Sequence, residues 1–131
     1  MANLITLDEY KEAEGIQSTK EDTRITSLIS SVSALVKTYC GNSIVDYYSA
    51  DKVEYFDVSW DSHIVQLTES PVNSISLVKE RSSYDGTYTT LTTGDYEYYF
   101  NSSTDSILRT TGGTNYKNWP KGPGAVEVTY R

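Results

Sequence analysis

Ile25-Thr26-Ser27-Leu28-Ile29-Ser30-Ser31-Val32-Ser33-Ala34-Leu35-Val36-Lys37-Thr38-Tyr39-Cys40-Gly41 is the stretch on which the fold turns. Ile25, Leu28, Ile29, Val32, Leu35, Val36 and Tyr39 advance by 3, 1, 3, 3, 1 and 3 residues. That spacing places them on one apolar stripe of an α-helix. Lys20, Asp22, Arg24, Ser27, Ser30, Ser31 and Lys37 fall on its other face, and Gly41-Asn42 closes it. Upstream, Ser18 and Glu21 have the spacing of a capping box, so a long helix is expected over about 19–39. Thr6 and Glu9 repeat that spacing before Leu7 and Tyr10, and Gly15 can end a short helix near 7–14 in the left-handed conformation. Together these segments predict an N-terminal helical hairpin.

Beyond about residue 52 the period changes to two. Val53, Tyr55 and Asp57 alternate with Glu54 and Phe56, and His63, Val65 and Leu67 with Ile64 and Gln66. Pro71 opens a segment running from Val72 to Lys79, where its missing N–H costs no ladder bond. Tyr96, Tyr98 and Phe100 alternate, Asn101 to Asp105 reads as a turn, and Ser106 to Thr110 returns beside them. Val126, Val128 and Tyr130 form the last alternation, and Asp85-Gly86 marks a tight turn. The expectation is an α+β protein: a helical segment over 1–44, then a small antiparallel β-domain of six or seven short strands over 45–131. Within it, residues 111–124 form a long loop.

At 131 residues the chain suits one domain, or a small domain with an arm. A chain this size buries roughly two-thirds of its unfolded surface, so no staples are needed. Ser and Thr supply a quarter of it, and Tyr is rich at 12 against 2 Phe and 2 Trp, a composition suited to polar binding faces with amphipathic anchors. The net charge of −7 argues against phosphate-backbone binding. One cysteine, Cys40, and one histidine, His63, exclude a disulfide framework and paired-ligand zinc sites, and no cofactor or metal is expected. The first residues carry no basic segment and no long apolar run follows, so neither a signal peptide nor a transmembrane helix is expected.

The sequence offers little catalytic chemistry. Ser62 and His63 are neighbours in a strand pattern and point to opposite faces, so they do not make a nucleophile–base pair. Cys40 ends an apolar stripe and reads as a small buried hydrophobe. Asp57 and Asp61 read as a solvated turn rather than a glycosidase pair, and the phosphate-cradling glycine patterns are absent. The Tyr-rich strands leave a sugar-binding module open as an alternative, with Trp60 and Trp119 as its anchors. For partner contact the loop 111–124 stands out, chiefly Tyr116, Lys117, Trp119 and Lys121. Arg24, Ser27 and Ser31 on the polar face of the long helix come second.

Leu4-Ile5-Thr6-Leu7-Asp8-Glu9-Tyr10-Lys11, the helix ending Val36-Lys37-Thr38-Tyr39-Cys40-Gly41, Leu67-Thr68-Glu69-Ser70-Pro71-Val72-Asn73-Ser74-Ile75, Asp95-Tyr96, Ile107-Leu108, Trp119-Pro120 and Val126-Glu127-Val128-Thr129-Tyr130 follow in order. This layout resembles the head–tail connector adaptor, or head-completion, proteins of tailed bacteriophages over nearly the whole chain. The resemblance implies a structural virion protein of the head–tail neck and no enzyme. It implies docking on the portal protein as a homo-oligomeric ring, usually of twelve copies, that meets a stopper or tail-completion protein. DNA would pass through the lumen without specific binding. A stopper or tail-completion role in the same neck is the neighbouring reading. Related chains often continue past the Val-Thr-Tyr strand with a Gly-Tyr step and helices or an arm that would help grip the portal, whereas this sequence ends at Arg131.

Overall fold

The computed structural model describes residues 2–92, 96–112 and 115–131. Among them are two helices and eight short strands, every strand pairing antiparallel, so the chain is α+β. It divides into two compact units, Met1–Tyr48 and Ser49–Arg131.

In the first unit, α1 spans Leu7–Glu14. The Thr6 hydroxyl accepts the Glu9 N–H at 3.1 Å, and the Glu9 carboxylate accepts the Thr6 N–H at 3.4 Å. This satisfies two of the backbone donors that a helix start leaves open. Gly15, at φ 68°, ends the helix. The second helix, α2, spans Asp22–Cys40 and begins later than its expected start near 19. The Ser18–Glu21 box is not formed, because the Ser18 hydroxyl instead accepts the Lys20 N–H at 3.2 Å in a local turn.

The expected N-terminal helical hairpin is not matched as a pair of long helices. The capping residue Thr6 is extended (φ −92°, ψ 162°) and Gly15 stops the helix ahead, which confines α1 to eight residues. The arm ahead of it bonds to α2: the Leu4 N–H donates to the Ser33 hydroxyl at 3.0 Å, and Lys37 Nζ donates to the Ala2 carbonyl. The buried stripe of α2 is therefore Ile25, Ile29, Ser33 and Lys37, each four residues from the last. Lys37, expected on the solvated face, is buried because Asp46 neutralises it, with Nζ to Oδ1 at 2.5 Å.

In the second unit, β8 (Gly122–Tyr130) runs between β1 (Lys52–Val58) and β3 (Ile75–Glu80), with β4 (Thr89–Thr90) beyond β3. A second sheet places β6 (Ser106–Thr111) between β2 (Ile64–Gln66) and β5 (Tyr98–Asn101), and β7 (Asn115–Tyr116) pairs with β6. The short β4 and β7 raise the strand number above the expected six or seven. Both sheets contribute to one core that includes Val65, Val78, Ile107, Trp119, Val126, Val128 and Tyr130.

Val126, Val128 and Tyr130 point inward as their alternation predicts. In β1 the inward face carries Glu54 with Phe56 and Val58, while Val53 and Tyr55 are exposed. The Glu54 carboxylate accepts the Tyr130 hydroxyl at 2.6 Å, which gives the inward charge a partner. β3 begins at Ile75 rather than Val72, since Asn73 and Ser74 bond the terminal Arg131 backbone instead of a strand ladder.

The expected loop 111–124 is corrected as well. Thr110 and Thr111 pair with Tyr116 and Asn115, the Lys117 N–H reaches the Arg109 carbonyl at 3.0 Å, and β8 already begins at Gly122. Gly113 and Thr114 of that stretch lie outside the described residues.

Candidate functional site

The residues expected to meet partners fall into different places. Trp119 is 2% exposed and packs in the core, with the Arg109 guanidinium 5.9 Å from its ring centre. It serves the fold rather than a surface. Tyr116, Lys117 and Lys121 are exposed. The Tyr116 ring stacks on His63 with centroids 4.3 Å apart and planes 22° from parallel, and Lys121 pairs with Asp61 at 2.8 Å. These residues join the β6–β8 segment to the stretch just before β2 and leave one surface of mixed aromatic and charged character. Ser62 bonds the backbone of Ile64, so no nucleophile–base pair is built there.

Arg24, Ser27 and Ser31 lie in the other unit. Arg24 is exposed and bonds Glu21 at 3.3 Å, one turn earlier on the same helix. Ser27 and Ser31 line an open trough with Thr23, Thr26 and Ser30, and Asp22 sits at its edge.

The most exposed apolar surface of the first unit lies on the apolar stripe read from the sequence. Leu28, Val32, Leu35 and Tyr39 are 53%, 53%, 67% and 91% exposed. The pattern is a single seven-residue stripe, but α2 buries only Ile25 and Ile29, leaves Val36 half-buried and turns the other four outward. The distinguishing signal was present in the spacing, because 28, 32, 35 and 39 step by 4, 3 and 4, the rhythm of a helix-packing seam. Beside the N-terminal half of this seam lies an apolar groove of about 450 Å³, lined by residues including Leu4, Ile5, Tyr10, Leu28 and Val32. Cys40, expected to be buried, is exposed at the end of the same helix.

The family model described as Head completion protein matches residues 3–129, which takes in both units. The chain belongs to the head completion protein family. It is thus a structural component of the phage neck. No curated protein and no solved structure matches the chain. Among the described residues of this head completion protein, no cluster of His, Cys, Asp or Glu is arranged to hold a metal ion, and no helix is long and apolar enough to cross a membrane.

Proposed function

We propose that this head completion protein is the adaptor that docks as a ring, of twelve copies, on the portal vertex and connects the head to the stopper or tail. One observation carries this reading. Among the described residues of the helical unit, Ile25 and Ile29 are the only buried large apolar side chains, while Leu28, Val32, Leu35, Tyr39 and several others stand exposed. A unit with so small a core is stable only when covered. The β-unit has its own core and needs no such cover.

In this account the α2 seam packs on the portal. Tyr116, Lys117 and Lys121 contact a neighbouring copy or the downstream protein, where aromatic and long charged side chains serve well as anchors. Neighbours in a ring meet through unlike patches, and a chain with one helical and one β surface supplies them. The charge of −7 suits a collar through which DNA slides.

Co-expression with the portal protein of the same phage tests the reading. The intact chain should co-purify with the portal ring, and Leu35→Asp should abolish that while leaving the β-unit folded. Co-purification unaffected by Leu35→Asp would reject the seam as the portal contact.

A further inference from the structure

The seam on α2 has a shape that fits itself, and we propose that two free copies pair through it as an antiparallel two-fold dimer. Three observations support a second copy as the occupant. First, the seam is complementary end to end. Its N-terminal half is concave, with Leu28 and Val32 set beside the groove formed with Leu4, Ile5 and Tyr10. Its C-terminal half is the freer, with Leu35 and Tyr39 67% and 91% exposed against 53% for both Leu28 and Val32. An antiparallel copy sets Leu28 opposite the second copy's Tyr39 and Val32 opposite its Leu35, so the most exposed pair of each copy meets the grooved end of the other. That is an isologous contact, closed after two copies.

Second, no charge opposes it. From Ile25 to Cys40 the only charged residue is Lys37, which is buried against Asp46. Antiparallel pairing also sets each α2 start beside the other's end, so the helix dipoles attract.

Third, the area suffices. The exposed parts of Ile5, Tyr10, Leu28, Val32, Leu35 and Tyr39 amount to on the order of 700 Å² per copy, near the roughly 800 Å² a side of a standard specific interface.

The pair would hide the seam of both copies until the portal takes the partner copy's place. This consequence rests on the adaptor reading, but the dimer itself does not, because its test uses the purified chain alone. Sedimentation of the full chain from about 1 to about 100 μM should show a reversible monomer–dimer equilibrium. Val32→Asp should weaken it roughly tenfold or more. For the orientation, a Leu28→Cys chain is mixed with a Tyr39→Cys chain, each also carrying Cys40→Ser, and oxidised. The mixed 28–39 disulfide should predominate. A chain monomeric at every concentration, or a predominance of 28–28 and 39–39 disulfides, would overturn the proposal. Failure of portal co-purification with an intact dimer would instead count against the adaptor reading.

Discussion

The Arg109 guanidinium meets the Glu80 carboxylate at two points, Nε to Oε2 at 2.9 Å and Nη2 to Oε1 at 2.8 Å, tying β6 of one sheet to β3 of the other. Its remaining nitrogen donates to the carbonyls of Glu97 and Thr110 at 2.7 and 2.8 Å. The side chain is 5% exposed, and the two oxygens match the planar fork. Removing Arg109 leaves the half-buried Glu80 carboxylate, 16% exposed, without its partner, which costs up to about 3–5 kcal/mol. Arg109→Leu should therefore lower urea-unfolding stability by that order. Lys121→Ala, which breaks the exposed Asp61 pair, should change it by under about 1 kcal/mol.

Tyr130 should make the β-unit sensitive to alkali. Burial, and then the hydrogen bond to Glu54, push its hydroxyl up from 10.0 to about 12. The folded state thus favours the neutral phenol, which can still donate to the carboxylate. Its contribution is complete below pH 10 and is lost as pH rises through about 12. Tyr130→Phe should remove this alkaline loss, read as the midpoint of thermal unfolding between pH 9 and 12.

Gly124 holds a positive φ of 58° where Pro123 and Gly124 are clasped by two side chains. The Arg81 guanidinium donates to the Pro123 carbonyl at 3.1 Å and lies 4.6 Å from the Tyr88 ring centre, and the Tyr88 hydroxyl donates to the Gly124 carbonyl at 2.6 Å. A Cβ here would stand 2.9 Å from Arg81 Nη2 and 3.3 Å from the Tyr88 hydroxyl. Gly124→Ala should cost about 1–2 kcal/mol for the backbone alone and more for the displaced clasp. Gly112→Ala, with open space around its Cβ position, should cost only the backbone part. The difference between the two in chemical unfolding isolates the clasp.

Asp46 ties the N-terminal arm and the segment after α2 to Lys37. The Lys37 hydrogen bond, followed by the Ala2 N–H, holds its carboxyl below the ordinary 3.8 against the opposing effect of burial. A carboxylate held below its unfolded value adds stability above about 3.8 and loses it as pH falls further. Amide exchange of residues 2–4 should speed up as pH is lowered past that point, beyond the intrinsic change in exchange rate. Asp46→Asn should show the faster exchange already at neutral pH.

What the sequence revealed was set by local chemistry. The Thr6–Glu9 box and the left-handed Gly15 and Gly41 are contacts between near neighbours, so spacing alone located them. Val126, Val128 and Tyr130 were legible because β8 lies central with one face in the core. The phase of β1 was not, because it depends on the hydroxyl of Tyr130 meeting Glu54 across 76 residues of sequence. Trp119 looked like a surface anchor because Gly and Pro surround it, yet the backbone bond from its N–H to the Ser62 carbonyl at 2.8 Å draws it inward. The outward seam of α2 was hidden for the opposite reason. Hydropathy marks a residue as apolar and says nothing of whether its own chain supplies the cover.

The central claim is that the exposed face of α2 is covered by the portal in the finished particle. Imaging the neck of intact particles tests it most directly. The account expects a collar of this chain beneath the portal, with Leu28, Val32, Leu35 and Tyr39 buried against portal side chains. A neck without the collar, or a collar in which those four residues face solvent, would contradict it.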